Sequence, residues 1–228
     1  MLKIVKNYTA SFEVDPQKGF TPVCPEELPV EGGNEIAEEL NAQAKFAKLR
    51  VFSKDAHPAK GLWTADSDNP QFSVVGEPNV DIRWNSHCVV GTKGFELIDG
   101  LPPVSDYDFA VYKGQEPDSH PYGACYQDLG TTNSAGVTEW TKSTGIIEWL
   151  KCNDIDTIIV GGLATDFCIK VTVEQLVAAR FSVIINKAAC RGIYPPGSPT
   201  EEEVYEEFRN LGAVLVDNAK DLETLTLC

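Results

Sequence analysis

Of the seven cysteines in the chain, Cys168 has the setting of a nucleophile. It closes the string Gly161-Gly162-Leu163-Ala164-Thr165-Asp166-Phe167-Cys168. That string reads as a strand end, a tight turn permitted by glycine, and a helix start capped by Thr165 or Asp166. The positive end of a helix favours thiolate over thiol, and amide groups at the same turn can receive an oxyanion. A second set has the character of metal ligands. Asp55 and His57 lie two apart, so on extended chain both side chains leave the same side. His87 follows in Arg83-Trp84-Asn85-Ser86-His87-Cys88. Two imidazoles and a carboxylate suit zinc, iron or manganese and leave coordination positions open. The third histidine, His120, reads as a loop residue or a polar group of a pocket.

These residues need a scaffold that brings distant segments together. The sequence has no internal repeat, and short apolar runs alternate with segments of helical period. Strands are predicted at Ser11 to Val14, Val51 to Ser53, Phe109 to Tyr112, Thr157 to Val160, Ser182 to Ile185 and Val214 to Val216. Helices are predicted from about Asn34 to Leu49, with Ile36, Leu40, Ala44 and Ala47 on one face, from Ile146 to Lys151, and from after Asp166 to about Arg180. The last helix is the best marked: Thr200 and Glu203 form a capping box, Val204, Phe208 and Leu211 an apolar stripe, and Gly212 a C′ residue. This rhythm predicts an α/β fold, a doubly wound, mostly parallel six-stranded sheet with helices on both faces.

Ligands of such sheets bind beyond the carboxyl ends of the strands. Asp15 ends the first predicted strand, Asp55 and His57 follow the second, Lys113 ends the third and Cys168 follows the fourth. Taken singly, each has an ordinary explanation: a turn before Pro16, a solvated strand end, a small buried thiol. Their arrival at one edge is the stronger observation. The long polar stretch between the second and third strands also points to function.

Composition narrows the partners. A chain of 228 residues with 43% apolar content can close one core, so a single domain over residues 1–228 is expected. A net charge of −15 and a pI near 4.5 repel nucleic-acid backbones and anionic membranes. A small molecule is the expected partner, and assembly as a homo-oligomer is left open. Without an apolar leader, a membrane-length stretch or a CxxC pair, a soluble cytoplasmic protein with reduced thiols is expected.

Several motifs in order carry a resemblance. Asp15-Pro16-Gln17-Lys18-Gly19-Phe20 matches D-x-Q-x-x-F, and Asp55-Ala56-His57-Pro58 matches D-x-H-P. Trp84, His87-Cys88-Val89 and Gly91-Thr92-Lys93-Gly94 follow, then Lys113-Gly114, then G-x-A-T-D-x-C from Gly162 to Cys168. From about Ser11 to Val216 the chain resembles the cysteine hydrolases of the isochorismatase-like superfamily. The Asp-His-His set is similar to that of its nicotinamidases. The segment Asp118-Ser119-His120-Pro121-Tyr122 departs from the family's Y-S-x-F.

The resemblance implies a thioester amidohydrolase that converts nicotinamide to nicotinate and ammonia. In it Asp15 accepts the thiol proton of Cys168, and Lys113 stands between them and lowers the cysteine pKa. Backbone amides of Ala164 and Cys168 form the oxyanion hole, with a cis peptide between Leu163 and Ala164. Phe20, Trp84, Tyr122 and Phe167 flank a flat ring. A divalent metal on Asp55, His57 and His87, zinc ahead of iron or manganese, takes the ring nitrogen. Three other readings compete: a related amidase for a carbamoyl or maleamate-like compound, a non-haem iron oxygenase, and a catalytically silent metal-binding protein. The oxygenase reading gives Lys113 and Asp15 no role.

Overall fold

The computed structural model describes residues 1–225 of the chain; Cys228, counted among the thiols above, lies outside the described residues. Its strands are β1 (Leu2–Ile4), β2 (Thr9–Val14), β3 (Leu49–Asp55), β4 (Val74–Glu77), β5 (Val80–Ile82), β6 (Phe109–Lys113), β7 (Thr131–Thr132), β8 (Thr138–Glu139), β9 (Thr157–Leu163), β10 (Ser182–Arg191), β11 (Val214–Val216) and β12 (Leu222–Thr224). The α-helices are α1 (Ala37–Ala44), α2 (Ile146–Cys152), α3 (Lys170–Ala178) and α4 (Glu201–Asn210).

Six strands form the central sheet in the order β11-β10-β9-β2-β3-β6, and each neighbouring pair is parallel. Every residue of β2 is buried, as expected of a central strand covered on both faces. Alternate residues of β9 serve two apolar layers. Ile158 and Val160 enter the main core with Phe12 and Leu40, whereas Ile159 packs with Ile4, Ile184, Val216 and Leu222. Helices flank the sheet, and β4-β5 and β7-β8 are small antiparallel pairs outside it. Among the described residues, no helix is long and apolar enough to cross a membrane.

The six expected strands are present, but most run further than their apolar cores. β3 and β6 extend to Asp55 and Lys113, and β10 passes a break in register after Ile185 to pair Cys190 and Arg191 with Gly162 and Leu163. The first helix is shorter than expected. Beyond Ala44 the chain tightens into i→i+3 turns, Phe46 N donating to Gln43 O and Ala47 N to Ala44 O, and Leu49 pairs with Ala10 in the sheet. Ala44 is half-buried, outside the fully buried stripe of Ile36 and Leu40. On α4 the capping box of Thr200 and Glu203 forms. Leu211, however, is exposed, and Tyr205 joins Val204 and Phe208 in the buried stripe. The helix ends at Asn210, and Gly212 at φ 93° turns the chain toward β11 before Leu211 reaches the core.

Candidate active site

The chain moves outward from β2 through β3 to β6 on one side, and from β9 through β10 to β11 on the other. The order therefore reverses between β2 and β9, the place where open α/β sheets form a crevice. Asp15 leaves β2 there with φ 44°, and β9 delivers Ala164 and Cys168. Gly162 lets the two strands meet: at φ 136° it adopts a conformation most side chains avoid, and a Cβ there would fall 1.9 Å from Val14 O. The peptide between Leu163 and Ala164 is cis, as the resemblance implies.

Lys113 is fully buried at the centre of the site. Its Nζ lies 3.1 Å from Asp15 Oδ2 and 3.6 Å from Cys168 Sγ, and it donates to Pro121 O at 3.2 Å and to Asp55 Oδ1. Burial alone would discharge this lysine, but Asp15 and Asp55 outweigh it and hold its pKa well above the ordinary value. Burial raises the Asp15 pKa despite Lys113. It would also raise that of Asp55, but Lys113 is the largest opposing influence, and that carboxyl is held well below its usual range. Asp15, Asp55 and Cys168 have donors that could hold an ion, but the ammonium of Lys113 already contacts all three.

Cys168 differs from its sequence reading in three respects. Residues Thr165–Ile169 form a π-helical turn with no side-chain cap at its start. Asp166 instead accepts from Ile193 N at 2.9 Å and Tyr194 N at 2.7 Å, tying down a later loop. The two glycines belong to β9 rather than to the turn. Burial is also the largest influence on the thiol and pushes its pKa well above the ordinary value, with Lys113 acting in the opposite sense. Burial thus outweighs both the helix start and Lys113 in its effect on this thiol.

The histidines occupy the other side of Asp55. His57 Nε2 and His87 Nε2 lie 3.4 Å and 3.6 Å from Asp55 Oδ2. The Nδ1–H of His57 donates to Gly114 O at 2.9 Å, and that of His87 to Asn85 O at 2.7 Å. Since a carbonyl can only accept, these bonds fix the tautomers and leave Nε2 of a neutral ring as a lone pair. Burial lowers the His87 pKa and so favours the neutral ring. Two lone pairs and a carboxylate oxygen thus converge on one place, with His57 Nε2 buried and unpartnered. The donors fit a divalent cation. Gly114 makes room for this: at φ 68° it has no Cβ, which would lie 2.5 Å from the His57 ring.

Between the two sides is a narrow, closely walled pocket lined by Phe20, Trp84, Tyr122 and Phe167, with Cys168 and Asp55 among its other walls. Trp84 and Phe167 meet edge to face at 4.8 Å. Tyr122 OH accepts from Trp84 Nε1 and donates to Asp81. Every predicted site residue is therefore at this end of the sheet.

Sequence reasoning missed the groups that hold them there. Ser53 Oγ donates to Asp15 Oδ1 at 2.6 Å, and the Gln17 amide both donates to Asp55 O and accepts from Asp55 N. Thr172 Oγ1 accepts from Ala124 N while donating to Cys168 O, which joins the loop after Lys113 to the nucleophile's helix. His120, left open as a loop or pocket residue, is buried against His57. The signal for Ser53 was a polar residue in an apolar strand, two before Asp55.

No protein-family model matches the chain. It is 31% identical over 174 residues to the nicotinamidase of Escherichia coli (strain K12), covering 73% of this chain and 76% of that one. A solved structure of a nicotinamidase/pyrazinamidase from Acinetobacter baumanii superposes with a TM-score of 0.81 at 27% identity, covering 94% of this chain and 98% of that chain. The pyrazinamidase of Pyrococcus horikoshii, solved in complex with zinc, has a TM-score of 0.68 at 24% identity over 92% and 98% of the two chains, a likeness of fold.

Proposed function

The chain belongs to the nicotinamidase family, and from that premise we propose that it hydrolyses nicotinamide to nicotinate and ammonia through a thioester on Cys168. The supporting observation is Lys113, whose ammonium touches both Asp15 and Cys168 at the wall of an aromatic cavity. A buried cation between a thiol and a carboxylate has little purpose in stability, but it lowers the cost of moving a proton from one to the other.

The reaction begins with the carboxamide between the aromatic side chains and its carbonyl carbon over Sγ. Asp15 accepts the thiol proton as the thiolate attacks, and Lys113 compensates the charge that develops at sulfur. The amides of Ala164 and Cys168 stabilise the oxyanion. Asp15 then returns its proton to the departing nitrogen, which leaves as ammonia with the electron pair of the C–N bond. In the second half, Asp15 takes a proton from water as its oxygen attacks the thioester. The acid is released, and Asp15 re-protonates the sulfur.

Asp55, His57 and His87 would hold a divalent ion, zinc ahead of iron or manganese. When bound, the ion supplies a Lewis acid for the lone pair of a ring nitrogen and for water. The zinc held by the Pyrococcus horikoshii neighbour supports that choice. The free state of the six cysteines found among the described residues supports a reducing, cytoplasmic setting. One domain carries all of these groups. Lys113 does not favour an oxygenase, which would leave it without a part, and an aromatic-lined cavity does not favour maleamate-like amides. Ammonia release from nicotinamide by the metal-loaded protein, absent in Cys168→Ala, tests the reading; no release from the wild type would overturn it.

A further inference from the structure

His120 is 3% exposed, and both of its ring nitrogens are buried without a hydrogen-bond partner. A side chain serving only to fill space carries no such penalty if it is phenylalanine, so two bare nitrogens require a partner of another kind. The ring lies nearly parallel to His57, with centroids 5.0 Å apart and planes at 14°, and 5.6 Å from His87. One nitrogen from each of the three histidines lies within 4.8 Å of the others. Ligands around a zinc ion at about 2.1 Å are about 3 to 4 Å apart, so a small closure brings all three to one centre.

The backbone holds His120 in this place. Its N donates to Asn79 O at 2.8 Å, and the next carbonyl, Pro121 O, accepts from Lys113 Nζ. The ring is thus fixed between the long loop and the buried lysine rather than carried on a free segment.

We infer that His120 is a ligand of the metal, making the site three imidazoles and one carboxylate; this rests on the divalent ion proposed above for Asp55, His57 and His87. A fourth protein donor restricts the ion. It would leave fewer positions for a ring nitrogen or a water than three protein donors leave.

The test uses the full chain and zinc itself. Zinc affinity is measured by competition with a chromophoric chelator for wild type, His57→Ala and His120→Phe, the last preserving the stack against His57. X-ray absorption at the zinc edge counts the imidazoles. The inference expects three imidazoles in the wild type and two in His120→Phe, with affinity reduced by roughly a hundredfold or more, at least what loss of an outer-shell partner costs. Two imidazoles in wild-type protein would overturn it, and that count needs no variant to fold. So would unchanged affinity in His120→Phe with a raised KM for nicotinamide, which would make His120 a substrate contact and leave the Asp-His-His site standing. Failure of the wild type to take up zinc would remove both readings together.

Discussion

Two regions of this molecule, the carboxyl ends of β2, β3, β6 and β9 and the helix α4 on the flank, treat charge in opposite ways. At the strand ends, Asp15, Asp55, Lys113, His57, His87 and His120 are all buried. On α4, Glu201, Glu202, Glu203, Glu206 and Arg209 face solvent while Val204, Tyr205 and Phe208 are buried. The flank follows rules that stabilise a helix: a capping box, acids at its start, Arg209 in its last turn. The strand ends break the rule that charge stays in water, and buried pairs seldom repay their desolvation. The difference separates residues retained for chemistry from residues retained for folding. It predicts that changes in one region lower turnover and changes in the other lower stability.

The largest effect should come from Cys168→Ala. Loss of the nucleophile should reduce turnover on the order of 10⁶-fold, as in hydrolases whose catalytic groups act as a unit. The melting temperature should move little, because the thiol's contact with Lys113 Nζ, at 3.6 Å, is the longest that ammonium makes among those given above. A variant retaining a tenth of the activity would remove Cys168 from the reaction and blur the contrast.

Lys113→Met should affect both quantities, and so marks where the contrast ends. It removes the charge that assists proton transfer, and it leaves Asp15 and Asp55 facing each other in the interior. Breaking a buried pair in this way costs roughly 3–5 kcal/mol, so urea unfolding should report a loss of that order alongside nearly complete inactivity. Unchanged stability would mean that water already reaches the lysine.

A smaller effect concerns substrate choice. Nicotinamide and benzamide share a shape, but only nicotinamide offers a ring nitrogen to an ion at Asp55, His57 and His87. Orientation of that kind should favour nicotinamide by roughly a hundredfold in kcat/KM, and chelation or His57→Ala should remove most of the preference. Equal rates for the two amides in metal-loaded protein would leave the cysteine chemistry intact and withdraw the pyridine-ligand role.

What the sequence discloses differs between the two regions for the same physical reason. Helix α4 is determined by its own residues, so Thr200, Glu203 and Gly212 announce it locally. The strands are legible by their apolar cores, but their ends are not, because Asp55 and Lys113 look like loop residues until pairing with a neighbour carries the ladder to them. Asp15, Cys168 and the Asp55-His57 pair are legible as motifs. Ser53 is not, and Gln17 shows as a motif letter without its role, since their contacts depend on the register of β2 against β3. The pull of burial on the Cys168 thiol is not legible in the sequence, because a helix start is a local feature, whereas burial is set by the whole fold. His120 is hidden similarly: only the path of the loop after Lys113 places it against His57.

The smallest effect tests the flank. Thr200 caps α4, its hydroxyl oxygen accepting from Glu203 N while the Glu203 carboxylate accepts from Thr200 N. Thr200→Ala should cost about 1 kcal/mol of stability, a shift of roughly 2–4 °C in Tm for a chain of this size, with kcat/KM for nicotinamide unchanged. The pH dependence has a definite sign. Hydrogen bonds from the Thr200 backbone and hydroxyl hold the Glu203 pKa below its ordinary value. Its contribution is therefore present above the unfolded carboxylate pKa and disappears as pH falls through the lower folded value. The gap between wild type and Thr200→Ala should accordingly narrow in acid. A gap that widened there would show the cap acting without Glu203, and a fall in turnover at neutral pH would show that the flank and the site are not independent.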